Sequence, residues 1–286
     1  MELSNINHIK ALLSRHGFHF SKAMGQNFII DSTVCPRMAE FCAGDGDFGV
    51  IEIGPGIGVL TKELSKVAKK VVAIELDKRL IPILKETLSE CDNVEVINAD
   101  AMKLDLAALI NEKFAGLKVA VCANLPYYIT SPIIMGLLEA RLALDNITVM
   151  VQKEAAERLC AAPGERECGA VSAAVSYYSK PEILFDVNRD CFLPAPNVDS
   201  AVISLKLRSE PPIKIEDEKL FFKCVKAAFS QRRKTVLNSV SATLSIEKQK
   251  LSAALEENGI SPLSRAEALS MDNLAALTRA VSSILH

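Results

Sequence analysis

Five apolar runs of strand length constrain this chain of 286 residues more than any other feature: Val50–Ile53, Val71–Glu75, Val94–Ile97, Leu117–Ala123 and Ile147–Val151. Helical patterns separate or follow them, at about Leu60–Val67, Arg79–Leu88 and Pro132–Leu142, with a further one through Leu159. Runs that are apolar throughout, instead of alternating, belong to strands buried on both faces. Strands of that kind alternating with helices predict an α/β fold, a mostly parallel sheet covered on both sides.

The pattern changes after about residue 180. Ile183–Val187 and Ala201–Leu207 are β-like but joined by a proline-containing loop, which predicts an antiparallel pair at one sheet edge. Glu210-Pro211-Pro212 then marks a boundary, giving domains at 1–209 and 210–286, the second composed of helices. Ahead of the sheet, residues 4 to 15 form an amphipathic helical pattern with Ile6, Ile9, Leu12 and Leu13 on one side. Gly25 allows a sharp turn after it, and Asp31 or Ser32 could cap a helix carrying Met38, Phe41 and Cys42.

Composition excludes several classes. Hydrophobic residues at 49% and charged residues at 24% describe a globular chain with a sizeable core. A net charge of −2 gives no global basic field, so a nucleic-acid site must be a local patch. The eight cysteines form no Cys-x-x-Cys pair, and several sit in apolar segments, as small buried side chains do in a reducing compartment. His8, His16 and His19 lack companions at metal-ligand spacing, so no metal is expected. The N-terminus does not read as a signal peptide and no apolar run reaches roughly 20 residues, which points to the cytoplasm.

Gly54, Gly56 and Gly58 follow the first long strand and open a helix, where small residues let backbone N–H groups approach a ligand. A dinucleotide fingerprint would need glycine at 59, and Val59 stands there, which weakens an NAD-dependent oxidoreductase. Glu75 ends the next strand, where a carboxylate can accept both ribose hydroxyls, and Asp100 follows the third. Singly, each acid reads as a solvated loop carboxylate. Three such features at successive strand ends favour a nucleotide-like cofactor.

Leu117–Ala123 leads into Asn124-Leu125-Pro126-Tyr127. An Asn oxygen and a main-chain carbonyl can accept the hydrogens of an exocyclic amine, Pro126 fixes the backbone, and Tyr127 offers a stacking face. A bare strand-end turn is the plainer alternative.

Glu52-x-Gly54-x-Gly56-x-Gly58 resembles the first motif of S-adenosylmethionine-dependent methyltransferases, and Asn124 to Pro132 is similar to the signature of the ribosomal RNA adenine dimethylase family. Gly25-Gln26-Asn27-Phe28-Ile29-x-Asp31 and Phe192-x-Pro194-x-Pro196-x-Val198-Asp199-Ser200 resemble that family's other hallmarks. The resemblance spans nearly the whole chain. It implies a Rossmann-like class I methyltransferase sheet with a small all-α C-terminal domain, and S-adenosylmethionine as cofactor. It implies cofactor contacts from Gln26, Asn27, Ile29, Gly54, Gly56, Gly58, Glu75, Leu76, Asp100, Ala101 and Asn124. The acceptor adenine would meet Asn124, Leu125, Pro126, Tyr127 and Phe192. Leu125 and Tyr128 favour the small-subunit branch of the family over its large-subunit relatives. Ile29, Cys168 and Asn197 depart from the usual Leu, aromatic and Lys.

The resemblance further implies N6,N6-dimethylation of two adjacent adenines in the 3′-terminal hairpin loop of 16S rRNA, within the small subunit or its precursor, by a monomer. A large-subunit enzyme and an assembly factor that chiefly binds RNA are the alternatives. Lys219, Lys223, Lys226, Arg233 and Lys234 would share one face of a continuous helix from Glu218 to Val240, with Arg232 off the stripe; together these six make a candidate phosphate-contacting surface.

Overall fold

The computed structural model describes residues 3, 5–20, 25–44 and 47–285. The predicted helix start at residue 4 and the stretch 21–24 ahead of Gly25 lie outside them. The chain divides into two compact units, 1–156 with 181–207, and 157–180 with 208–286.

The first unit begins with α1 (Ile6–Arg15), the two-residue strand β1 (Phe28–Ile29) and α2 (Val34–Ala43). There follow β2 (Phe48–Ile53), α3 (Val59–Val67), β3 (Lys70–Glu75), α4 (Ile81–Thr87), β4 (Val94–Asn98) and α5 (Leu106–Lys113). Next come β5 (Lys118–Asn124), α6 (Thr130–Glu139), β6 (Asn146–Gln152) and α7 (Lys153–Cys160). After α8 (Ala170–Tyr178), the strands β7 (Ser179–Val187), β8 (Phe192–Leu193) and β9 (Ser200–Leu207) complete the β-structure. Seven strands form one sheet in the order β4-β3-β2-β5-β6-β9-β7, and β1 pairs with β8 in a separate antiparallel ribbon. Strands β2 to β6 are parallel, β9 runs antiparallel to β6, and β7 takes the outer edge. The predicted α/β architecture is present, and β7 and β9, which hold the two late β-like runs, lie side by side at one edge of the sheet.

From β2 the chain winds outward through β3 and β4, then crosses to β5 on the other side. The C-terminal ends of β2 and β5 flank this reversal of direction, which is where open parallel sheets leave a crevice for ligands. Every residue of β2 is buried, as its apolar run requires for a central strand. Gly49 is needed there for space, because a Cβ would come within 2.1 Å of the Phe114 ring.

One core cluster sets Met38 and Cys42 of α2 and Leu64 of α3 against Val50, Val71, Ala120 and Cys122 of the sheet. A second gathers Ile9, Leu12 and Leu13 of α1 with Ile83 and Leu84 of α4 around Phe28 and Ile57. Each fully buried Leu or Ile contributes about 1.5–3 kcal/mol relative to exposure. The N-terminal helix is thus fixed by packing, with Arg15 adding an ion pair and His16 a hydrogen bond to Glu86 at its exposed end. Asp31 does not cap α2 itself; its Oδ1 accepts the Thr33 N–H at 2.8 Å, one residue ahead of the helix.

The second unit contains α8 and four later helices: α9 (Glu218–Ala228), α10 (Val236–Leu244), α11 (Lys248–Glu257) and α12 (Met271–Leu285). The units divide at 207/208 and 157–180 groups with the C-terminal helices, whereas the sequence predicts one division at 209/210. Aromatic packing is the reason. Tyr177 lies 5.2 Å from Phe221, and Tyr178 stacks on Phe222 at 5.3 Å, centroid to centroid. Glu218, the one acid of the basic segment, accepts from the hydroxyls of Tyr177 and Tyr178 at 3.3 and 3.0 Å.

The expected continuous helix from Glu218 to Val240 is also corrected. It breaks between Ala228 and Val236, and Thr235 caps the next helix by accepting the Asn238 N–H. Lys219, Lys223 and Lys226 lie exposed on α9, whereas Arg232, Arg233 and Lys234 lie exposed in the turn. Phe221, Val225 and Ala228 are buried on the other side of α9.

Candidate active site

A cleft opens at the C-terminal ends of β2, β3 and β5, and its walls include Gln26, Asn27 and Ile29, the glycine loop, Glu75, Leu76, Asp100, Ala101, Asn124 to Ile129 and Phe192. Among the cofactor residues expected from the sequence, Gly58 alone does not line it. Gly58 instead starts α3 at φ +89°, where a Cβ would press on Thr87 and Leu88 at 3.1 Å, so its part is to shape the loop. Gly54, at φ +73°, faces open space: no atom lies within 4 Å of where its Cβ would stand. Ligand can therefore approach the main chain there.

Glu75 is buried at the end of β3. Its oxygens accept the Gly56 N–H at 3.2 Å and the Asp77 N–H at 2.7 Å, which aims the carboxylate along the glycine loop. Burial pushes its pKa up despite these two bonds. Asp100 accepts the Met102 N–H at 3.0 Å in a tight turn. Leu76 and Met102, 55% and 51% exposed, both line the cleft with apolar side chains suited to the faces of a flat ring.

In the sequence Glu52 stands out only as part of a motif, and the structure gives it a sharper character. The residue is 1% exposed, and its Oε2 has no hydrogen-bond partner among the described residues; nor does Thr61 Oγ1 nearby. Burial pushes the Glu52 pKa up to about 8, with the Thr61 hydroxyl beside it opposing the rise and the Glu75 charge adding to it. A buried carboxyl on a cleft wall with one oxygen left unpaired is suited to a cationic group on a ligand. Carboxyls for ribose and for an amine, flanks for a ring and an open glycine backbone together fit a nucleoside bearing an amino-acid tail.

On the other side of the cleft, Asn124 ends β5 half-buried. Its Nδ2 donates to the Asn27 carbonyl at 3.2 Å, which leaves Oδ1 as the end free to accept. Leu125 is buried and its N–H donates to Met150 O at 3.2 Å, fixing the motif to the neighbouring strand. After Pro126 a single 3-10 turn, Tyr127–Ile129, leads into α6, and Thr130 Oγ1 donates back to the Pro126 carbonyl at 3.2 Å. Tyr127 is half-buried, with its hydroxyl 2.8 Å from Ser200 Oγ. Tyr128, which entered the sequence analysis only through the resemblance, is 61% exposed on the cleft wall.

Phe192 faces the cleft but is only 3% exposed, packed in the core cluster beneath α2. It sits in β8 opposite Ile29 of β1, and Phe28 sits opposite Leu193. The segments around Phe28–Ile29 and Phe192–Leu193, far apart in sequence, thus form one strap along the cleft. With its amide turned to satisfy both ends, Asn27 donates to the Pro194 carbonyl at 3.0 Å and ties that strap together. The six basic residues belong to the second unit, where they are exposed on α9 and in the turn after it. Among the described residues no group of His, Cys, Asp and Glu could hold a metal ion, and no helix is long and apolar enough to cross a membrane.

Comparison with known proteins agrees with this geometry. The family model described as ribosomal RNA adenine dimethylase matches residues 17–280. Ribosomal RNA small subunit methyltransferase A of Geobacillus thermodenitrificans is 48% identical over 281 residues, covering 97% of this chain and 96% of that protein. The protein of the same name from Lachnoclostridium phytofermentans is 48% identical over 269 residues, 93% of each chain. Among solved structures, the 23S rRNA methyltransferase ErmE is similar at TM-score 0.68 and 27% identity, covering 89% of this chain and 99% of that one. A dimethyladenosine transferase from Plasmodium falciparum also reaches TM-score 0.68 at 27% identity, covering 85% and 93%. With a cleft that fits a nucleoside bearing an amino-acid tail beside an Asn whose amide oxygen is left to accept, and with that match along its length, this chain belongs to the ribosomal RNA adenine dimethylase family.

Proposed function

We propose that the protein dimethylates N6 of two adjacent adenines in the 3′-terminal hairpin loop of small-subunit rRNA, acting as a cytoplasmic monomer during small-subunit biogenesis. The observation that carries the reading is the Asn124 amide, whose nitrogen is engaged by the Asn27 carbonyl and whose oxygen is left to accept. Relatives named for the small subunit, at 48% identity, favour that subunit over the large one.

S-adenosylmethionine, the cofactor of this family, supplies an electrophilic methyl group on a sulfonium when bound. Glu75 would hold its ribose, Asp100 its adenine amine, and Glu52 its ammonium, with Gly54 and Gly56 admitting it to the backbone. The work of the remaining residues is positional. An adenine N6 is a poor nucleophile because its lone pair is delocalised into the ring. Accepting its hydrogens at Asn124 Oδ1 and the Leu125 carbonyl favours a pyramidal nitrogen, and needs no strong general base. Tyr127 and Phe192 would receive the flipped base between them. Lys219, Lys223, Lys226, Arg232, Arg233 and Lys234 would contact RNA phosphates. All six are exposed, and none makes an ion pair among the described residues.

The test is transfer of labelled methyl groups to small subunits from cells lacking the modification. Label on two adjacent adenines near the 3′ end is the expected result. Label on large-subunit rRNA would overturn the assignment, and transfer that survives Asn124→Ala would overturn the mechanism. Loss of transfer in Asn124→Ala with subunit binding retained separates the enzyme from a pure assembly factor.

A further inference from the structure

Gln26 lines the cleft, yet its side-chain amide donates to Asp77 Oδ2 at 2.9 Å. Asp77 is a strong anchor. It is 6% exposed, its N–H donates to Glu75 Oε1 at 2.7 Å, and its oxygens accept the Arg79 N–H at 3.0 Å and Nη2 at 2.6 Å. The Arg79 guanidinium also lies 5.1 Å from the centroid of the Phe18 ring. These bonds place Asp77 between the carboxylate at the end of β3 and the strap.

One residue beyond Gln26, the Asn27 carbonyl accepts Asn124 Nδ2 at 3.2 Å. A primary amide has one donating and one accepting end, so engagement of Nδ2 decides where Oδ1 points. Adjacent Cα atoms across a planar peptide are about 3.8 Å apart, so a bond at Gln26 and a bond at Asn27 cannot shift independently. Gly25, at φ +59°, passes close to the motif on its other side. A Cβ there would stand 3.4 Å from both Pro126 and Tyr128. The strap is therefore held at the cofactor side and reads out at the acceptor side.

We infer that Gln26 and Asp77 are positioning residues for methyl transfer: their hydrogen bond sets the strap so that the Asn27 carbonyl turns Asn124 Oδ1 toward the acceptor amine. The inference rests on Asn124 being the acceptor clamp, and it gives Gln26 a role distinct from direct cofactor contact. Neither Gln26 nor Asp77 need touch the substrate.

The test uses the full-length protein with 15N-labelled asparagine, without cofactor, the Asn124 side-chain signal being assigned by its loss in Asn124→Asp. Gln26→Glu sets a second carboxylate against Asp77, whereas Gln26→Lys keeps a donor. In Gln26→Glu the Asn124 NH2 signal should shift and its hydrogen exchange should quicken about 10-fold, the scale of one lost charge-assisted bond. The single-turnover methylation rate at saturating cofactor should fall by about the same factor, and Gln26→Lys should recover both. An unchanged Asn124 signal in Gln26→Glu overturns the proposal. So does a rate defect that saturating cofactor abolishes, and so does a Gln26→Lys variant as impaired as Gln26→Glu. If the wild-type protein fails to methylate small-subunit rRNA, the functional reading falls, and the amide signal alone decides the positioning claim.

Discussion

The hydroxyls of Tyr127 and Ser200 meet at 2.8 Å, joining the acceptor motif to β9 across 73 residues of chain. Ser200 is fully buried and paired with Gln152 in the sheet, so it offers a fixed point to which the Tyr127 ring is tied. Ser200→Ala should free the ring to rotate while leaving the cofactor cleft intact. Methylation should slow about 3- to 10-fold, the scale of one lost hydrogen bond, with cofactor affinity unchanged by calorimetry. An equal loss in affinity would show that Ser200 supports the fold instead.

Glu75 gives the second expectation. It holds the glycine loop through the Gly56 N–H and is the carboxylate assigned to the ribose hydroxyls. Glu75→Gln keeps the size but loses the charge and one acceptor. Cofactor affinity should fall roughly 10- to 100-fold, as for loss of charge-assisted bonds, measured by titration with S-adenosylmethionine. Binding that stays within twofold of wild type would move the ribose elsewhere.

Glu52 gives a pH signature. Its folded-state pKa is raised to about 8 from an ordinary 4.5. Between these values the folded protein keeps a proton that the unfolded chain has released. Stability therefore falls as pH rises through this window, by on the order of 1.4 kcal/mol per unit from this group. Glu52→Gln, which cannot ionise, should gain stability relative to wild type as pH goes from 5 to 8, read by urea unfolding. A difference independent of pH would mean Glu52 is ionised in the cofactor-free protein.

Asp77 has the opposite sign. Hydrogen bonds from the Arg79 side chain lead the causes that hold its pKa down at about 2. Its contribution is present above the unfolded value of 3.8 and is lost as pH falls toward 2. Asp77→Asn should lower the melting temperature at pH 7 and lose that deficit in acid, checked by thermal unfolding across pH 2 to 7.

The basic residues of the second unit are read best through salt. For each phosphate that a variant no longer neutralises, the slope of log affinity against log salt should become shallower by about 0.7–0.9. Replacing Lys219, Lys223 and Lys226 with Gln should lower the slope for rRNA fragments accordingly. An unchanged slope would leave α9 as an ordinary solvated face.

Much of the site is legible in the chain because strand ends are. Runs such as Val50–Ile53 and Leu117–Ala123, alternating with helical patterns, read as buried parallel strands, so the polar residues directly after them fall at one edge of the sheet. That places Gly54, Glu75, Asp100 and Asn124 around a single cleft, as found. The basic segment shows the opposite case. Nothing in Phe229 to Thr235 breaks a helix by itself. The turn coincides with bonds from elsewhere: the Val236 N–H donates to Ser264 O at 2.7 Å, a partner outside the segment.

What the sequence determined alone is the order of strands and helices, since apolar periodicity records which faces are buried. It also determined the identity of the residues at the strand ends, and through their resemblance the family. Tertiary structure decided what those residues are bonded to. The partner of Gln26 lies 51 residues away at Asp77, that of Tyr127 lies 73 away, and that of Asn124 lies 97 away at Asn27. Pairings over such distances follow from how the sheet reverses direction between β2 and β5 and how the strap folds across it. No local pattern of side chains encodes them.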